Sequence, residues 1–372
     1  MKVAILKINF STYGGSEKYC RLLTNYLLQK GDMPVIFSSS KVFEFPPPLI
    51  HEVPTIKFNK LLRLYSFNNY IYSYFNDNRE FDAIISMDKT KYHTHIRAGG
   101  GCHKAWLLRR EKLCSWWEKK LLSINPYHKF VLKLEKLGFE GPWVKKIITN
   151  SNMVKNEILE HYKVDEKKIV VIHNGVEWKA LEREFLESGN KYALRKKLKL
   201  DPDAFYFLFV GNGFERKGLK FAIEALSLFG KDVKLIVIGY DKNIKKYKKL
   251  AQNLKVSDRI LFAGYQQNVV KFYQVADAFL LPTLYDPFSN ASLEALAMGL
   301  FVITTKDNGC SEVIKDFSGI AIENPNEVDS LAYAMKVAIS KEKDPLKIRM
   351  SVAHLDMDEQ VKKLVEACLS EI

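Results

Sequence analysis

The stretch VADAFLLPTLYDPFSNASLEALAMGLFVITT, running from Val275 to Thr305, decides the fold. Phe279–Pro282 is a short apolar run stopped by Pro282, and Tyr285–Asn290 is polar and turn-prone. Ala291–Met298 reads as a helix ended by Gly299, and Phe301–Thr304 as a second buried strand. Strand, loop, helix and strand in that order make one unit of a parallel sheet. Asp286 and Glu294 bracket the helix N-terminus with seven residues between them. A helix N-terminus presents unpaired N–H groups and the positive end of its dipole, which seat an anion such as phosphate. A carboxylate such as Glu294 suits the hydroxyls of a ribose or a sugar.

Working outward, the same alternation fills the chain. Val3–Ile8 is an apolar strand, followed by the loop Asn9–Gly15 and an amphipathic helix over Ser16–Gln29. Pro34–Ser38, Phe81–Ser86, Lys146–Asn150 and Ile169–Ile172 are further strands. The pattern restarts with strand Tyr206–Val210, loop Gly211–Gly218 and helix Lys220–Phe229. Strand Val233–Ile238, helix Lys245–Leu254 and strand Ile260–Ala263 follow. Between the two series lies a polar stretch, Glu177–Asp203. The expectation is an α/β chain of two Rossmann-like domains facing a central cleft, because ligands of open α/β sheets bind beyond the strands' carboxyl ends. The predicted division is 1–175, 176–355 and a C-terminal helix within 356–372 packing back on the first domain. Val361, Leu364, Val365 and Cys368 form that helix's apolar stripe.

A chain of 372 residues has room for two cores. Five scattered cysteines without a CxxC pair argue for a reducing compartment and against a disulfide framework or a zinc site. MKVAILKINFSTYGG reads as strand and Gly loop rather than a secretory signal, and no apolar run reaches the length of a membrane span. The formal charge of +14 points to an anionic partner: a nucleic acid, a membrane face or an anionic substrate.

Two Gly loops join strands to helices. Tyr13-Gly14-Gly15-Ser16 lets backbone approach an anion, but it is not GxGxxG, so a dehydrogenase-type dinucleotide site is disfavoured. Gly211-Asn212-Gly213-Phe214-Glu215-Arg216-Lys217-Gly218 sets a forked guanidinium beside a compact ammonium, a combination suited to a diphosphate. Cations at a helix start oppose the dipole unless an anion sits there. His103, after Gly99–Gly101, is placed to polarise or deprotonate a hydroxyl, against the commoner fate of a lone packing histidine.

Asp201-Pro202-Asp203 and Asp356-Met357-Asp358 spell DxD, yet neither follows a buried strand. Turn formation and helix capping account for them, and no metal is expected. His93 and His95 lack matching ligand spacing. Residues 104–146 hold eleven Lys and Arg against four Glu, interleaved with Trp106, Leu107, Leu108, Leu113, Trp116, Trp117, Leu121, Leu122, Phe130 and Leu132. Such helices lie in anionic membrane interfaces, or else pack as a hairpin with a solvated basic face. No nucleic-acid motif accompanies the charge, so nucleic acid is not expected as a partner.

Taken together, GGSEKYCRLLTNYLLQKG, ITNSNMVKNEI, VVIHNGVE, VGNGFERKGLKFAIEAL and PTLYDPFSNASLEALAMGLFVITT resemble the GT-B fold, family 4 retaining glycosyltransferases. RAGGGCHKAWLLRRE and the basic stretch after it are similar to the lipopolysaccharide core glucosyltransferase I branch, in which that stretch faces the membrane. The resemblance implies a hexosyltransferase with no cofactor, its nucleotide-sugar being a substrate, UDP-linked and carrying glucose. It implies a lipid-linked saccharide acceptor such as lipopolysaccharide core, and a cytoplasmic, peripheral place at the inner face of the cell membrane.

Residue by residue, Arg216 and Lys217 match the diphosphate-binding pair and Glu294 the second acid of E-x7-E, a ribose ligand. Asp286 holds the first acid's position near the transferred sugar, and Phe288, Ser289, Asn290, Ala291 and Ser292 would offer backbone N–H groups. Gly14 and Gly15 match the loop closing on the donor, and His103 the first-domain histidine near the sugar. Asp286 replaces the usual Glu, and Pro287 removes one backbone donor, so the departures fall on the sugar side. The alternatives are a nucleotide-sugar 2-epimerase of the same fold and a non-catalytic protein binding anionic membrane.

Overall fold

The computed structural model describes residues 1–10, 15–40, 45–46, 49–112 and 114–370. The chain forms two compact units: Met1–His173 together with the segment from Asp358 onward, and Asn174–Met357.

The first unit is built on seven strands: β1 (Lys2–Leu6), β2 (Met33–Ser38), β3 (Ile50–Glu52), β4 (Ala83–Ser86), β5 (His95–Arg97), β6 (Lys146–Thr149) and β7 (Ile169–Val171). They pair in parallel in the order β3-β2-β1-β4-β5-β6-β7. The central strands are apolar and buried, as a sheet covered on both faces requires. Ala4, Leu6, Phe37, Phe67, Ile71 and Phe75 form one core with the helix Lys60–Asp77. β5 was not expected from the sequence. It is three residues long, and His95 and Arg97 are polar although fully buried, so no apolar run marks it.

The second unit holds β8 (Phe205–Val210), β9 (Val233–Ile238), β10 (Ile260–Gly264), β11 (Ala278–Leu281), β12 (Phe301–Thr305) and β13 (Gly319–Ile322), parallel in the order β10-β9-β8-β11-β12-β13. Chain order reverses between β8 and β11, and such switch points are where open α/β sheets bind ligands. The helices Leu219–Leu226 and Asn290–Ala297 follow β8 and β11.

The polar stretch Glu177–Asp203 is not an extended connection. It folds into helices Glu182–Glu187 and Lys191–Lys197 within the second unit. Arg195 fastens the second, donating to Val275 O at 2.9 Å, Ala204 O at 3.0 Å and Asp277 at 2.5 Å, and Gln274 Nε2 ties the first by donating to Glu184 O at 2.9 Å. These two buried side chains thus do what periodicity did not announce.

Candidate active site

The loop after β8 is shaped by two left-handed glycines, Gly213 at φ +72° and Gly218 at φ +77°. A Cβ on Gly218 would lie 1.8 Å from Pro282 O, so backbone from the ends of β8 and β11 touches here. Thr283 Oγ1 and Leu284 N both donate to Arg216 O at 2.8 Å. Gly211 has no side chain, and the aliphatic stem of Lys217 lies over it.

The ammonium of Lys217 thereby reaches Asp286 Oδ2. Arg216 Nη1 stands 3.4 Å from the same oxygen and donates to Tyr285 O at 2.8 Å. Lys217 is 8% exposed and Asp286 6%. Burial alone would push the Asp286 carboxyl up, but Lys217 and Arg216 hold it below its ordinary value. Burial draws the Lys217 ammonium below its usual range, with Asp286 opposing and Arg216 adding to the fall. The resemblance implied Asp286 near the transferred sugar and the two cations at a diphosphate. The structure joins all three in one ion cluster.

Asp286 is fixed by backbone on both sides: its N–H donates to Asp307 O and its carbonyl accepts from Gly309 N, each at 2.9 Å. Asn308, fully buried, then organises the loop. Its Oδ1 accepts from Ser289 N and Cys310 N at 3.1 Å, and its Nδ2 donates to Thr304 Oγ1 at 2.9 Å. Ser289 caps the helix, its hydroxyl accepting from Ser292 N at 3.2 Å. Of the five N–H groups expected to serve a ligand, those of Ser289 and Ser292 are therefore already bonded within the loop. Asn290 and Ala291 begin the helix, where no intrahelical acceptor exists for them.

Glu294, one turn further on, accepts from Tyr273 Oη at 3.0 Å. Burial and the adjacent Glu294 push the Tyr273 phenol well up, so it stays a donor. Asn174 donates to Phe288 O at 3.1 Å and Asn290 Oδ1 at 2.7 Å. Asn308, Tyr273 and Asn174 were not singled out from the sequence, in which each is an ordinary polar residue beside an apolar run.

In the first unit, Gly14 lies outside the described residues, and Gly15 opens the helix Gly15–Gln29. His103 is the first residue of the helix His103–Glu111. Its N–H donates to Glu135 Oε1 at 2.6 Å, and its ring Nε2 meets His128 Nδ1 at 3.0 Å. Burial, then nearby Lys89, bring the His103 imidazole down to about 4, against the pull of Glu135. It is neutral at physiological pH and suited to hydrogen bonding with a hydroxyl.

Glu135 also accepts from Lys89 Nζ at 2.7 Å and Tyr162 Oη at 2.6 Å. Burial would raise this carboxyl, but Lys89 and these bonds hold it low. From the sequence, Glu135 enters only as one of the four Glu set against the basic residues of 104–146. A signal was present: Val131, Leu134, Glu135, Gly138 and Phe139 share the buried stripe of the helix Pro126–Glu140.

The basic stretch divides into three helices. His103–Glu111 and Pro126–Glu140 pack into the unit. Trp116–Ile124 between them leaves Trp116 78%, Trp117 52%, Leu121 58% and Ile124 56% exposed, with only Leu122 buried. Leu113 lies outside the described residues. Among the described residues no helix is long and apolar enough to cross a membrane, and no three His, Cys, Asp or Glu residues are grouped to hold a metal. His93 is instead bonded to Thr90 and Gly138 O. Asp201 accepts from Asp203 N at 3.2 Å, as a turn does.

Residues 13–178 match the family described as Glycosyltransferase Family 4, and residues 190–353 match Glycosyl transferases group 1. An uncharacterized glycosyltransferase of Methanocaldococcus jannaschii is 29% identical over 204 residues, 52% of this chain and 51% of that protein. The lipopolysaccharide core biosynthesis glycosyltransferase LpsE of Rhizobium meliloti is 26% identical, over 63% of this chain and 68% of that protein. The lipopolysaccharide glucosyltransferase WaaG of Escherichia coli is 24% identical, over 59% and 60%. The alignments thus span about half to two thirds of these relatives. The solved structure of WaaG is similar in fold, with TM-score 0.77 over 99% of both chains at 19% identity. That of Anabaena HepE with UDP and glucose has TM-score 0.71 over 100% of both at 13%.

Proposed function

This chain is a GT-B glycosyltransferase with a family 4 N-terminal half and a group 1 C-terminal half, and from that premise we propose that it moves glucose from UDP-glucose to a lipid-linked saccharide such as lipopolysaccharide core. The observation that carries the donor assignment is the convergence of Arg216, Lys217 and the start of helix Asn290–Ala297 at the switch point of the second sheet. The diphosphate is assigned to the two cations and the Asn290 and Ala291 N–H groups, and the ribose to Glu294. Lys217, now paired with Asp286, would share its ammonium with the incoming phosphate. His103 is assigned to a substrate hydroxyl. The three sequence relatives above are all described as glycosyl- or glucosyltransferases, which favours transfer over epimerisation.

The reaction proposed is retaining. The acceptor hydroxyl attacks C1 on the face the diphosphate leaves, the C1–O bond to phosphate breaks, and the departing phosphate takes the hydroxyl proton. Fixed cations facing the charge that grows on that phosphate lower the barrier. The acceptor class is supported by the names of the relatives. A peripheral place on an anionic membrane face is supported by the helix Trp116–Ile124, whose indoles and Leu121 stand exposed beside Lys119 and Lys120.

The test is a transfer assay with UDP-glucose and lipopolysaccharide core acceptor on vesicles rich in anionic lipid. Transfer with retained anomeric configuration is expected. Turnover with Lys217→Ala equal to the parent's would overturn the donor assignment. Free UDP-epimer without acceptor product would overturn transfer. Vesicle binding should weaken with salt and on Trp116→Ala/Trp117→Ala, with melting unchanged because both indoles are exposed. Equal binding to neutral vesicles would remove the electrostatic part of the membrane assignment.

A further inference from the structure

We propose that His128 is a positioning residue for His103, fixing its ring tautomer and orientation and so which nitrogen meets the substrate. The inference rests on the assignment of His103 to a substrate hydroxyl. It starts from the helix Pro126–Glu140, which holds His103 at two points. Glu135 takes the backbone N–H of His103 at 2.6 Å, and His128, two turns earlier, meets its ring Nε2 at 3.0 Å. The two imidazoles lie 5.0 Å apart at 35°. No other hydrogen bond within the described residues reaches the His103 ring, so His128 alone among them orients it.

His128 is itself well placed for this. Pro126 starts its helix, and Asn125 Oδ1 accepts from Tyr127 N at 2.9 Å and His128 N at 3.4 Å. Its backbone is therefore set by a cap rather than left to fray.

The pair of facing nitrogens can hold one proton between them. The charged groups around the rings, Lys89 and Glu135 at His103 and Arg110 at His128, leave both imidazoles drawn down by burial and by neighbouring cations. Both are neutral at pH 7, so each carries one proton. His128 is partly exposed, and its Nε2–H can face water while its bare Nδ1 accepts. His103 then donates through Nε2–H, and its Nδ1 is left as an acceptor for a substrate hydroxyl. Without His128 the ring is free to turn or to exchange tautomers, and the acceptor edge is no longer held.

The test uses the full chain with ¹⁵N-labelled histidine and three variants, His128→Ala, His128→Asn and His103→Ala. The last assigns the His103 signals. Asparagine places an oxygen where Nδ1 stands and can still accept. The parent and His128→Asn should show His103 as one Nε2–H tautomer, and His128→Ala should show a mixture. With UDP-glucose and the acceptor above, kcat/KM should fall about 10- to 100-fold in His128→Ala, as misplacing a reacting group does. The loss should lie in kcat, with inhibition by UDP unchanged, and His128→Asn should recover most of it. An unchanged His103 signal in His128→Ala, or unchanged kcat, overturns the proposal. Absence of turnover in the parent overturns the proposed function instead, and the spectra still decide the positioning role.

Discussion

Lys217→Met tests the ion cluster that organises the candidate site. The ammonium is lost, and the Asp286 carboxylate stays buried with Arg216 Nη1 at 3.4 Å as its remaining cation. Removing one partner of a buried pair costs about 3–5 kcal/mol, because the other charge is left uncompensated. Arg216 offsets part of this, although its side chain is 36% exposed and screened by water, which sets the expectation near the lower end, about 3 kcal/mol. For a domain of this size that is roughly 6–12 °C in Tm.

The pH dependence carries the sign. In the parent, Lys217 and Arg216 hold Asp286 below its ordinary value, so its stabilisation is present above the unfolded pKa of about 4 and lost as pH falls through the folded one. In Lys217→Met burial prevails and the carboxyl rises above its unfolded value. The variant then binds protons more tightly when folded, and its deficit against the parent narrows from pH 7 to pH 4. Adding Asp286→Leu removes the orphaned charge and should restore at least half of the lost stability. It should not restore transfer, expected to fall on the order of 10²-fold or more in both variants. Melting curves across pH 4–7 check this. A Tm deficit under about 2 °C at pH 7, a deficit that does not narrow in acid, or a double variant no more stable than the single would refute the reasoning.

Gly218→Ala should cost about 3 kcal/mol or more in urea unfolding, because Cβ meets Pro282 O at 1.8 Å in a left-handed backbone; a loss below about 1 kcal/mol would deny the close approach. Tyr273→Phe should lower stability by about 1–2 kcal/mol and weaken UDP binding in calorimetry, because Glu294 Oε2 loses its phenolic donor; unchanged affinity would separate Glu294 from the nucleotide.

The Val275–Thr305 stretch was legible because its strand, capped helix and second strand are local patterns, and the structure differs from the expected ends by one residue. The ends of the Gly211–Gly218 connection were legible from its glycines, but the structure winds Phe214–Lys217 inside it into a single helical turn rather than a loop. β5 was not legible, since a three-residue strand carrying His95 and Arg97 has no period to detect. Glu135 entered only a charge tally, although its place on the apolar stripe with Val131 and Phe139 marks it as buried. Asn308 could not be found by pattern, because its four partners lie on β12, in the turn after it and at the start of the helix Asn290–Ala297 before it.

By itself, the sequence determined the alternation of parallel strands and helices and the glycine-bounded connections between them. These depend on spacing along the chain, which fixes local hydrogen bonding and which face is apolar. Only the tertiary structure decided that Asp286 sits on Lys217, that Asn308 holds the loop and that His128 meets the ring of His103. Lys217 and Asp286 are 69 positions apart and meet because β8 lies beside β11. That adjacency follows from burying both faces of the sheet at once, a condition on the whole domain that no single segment carries.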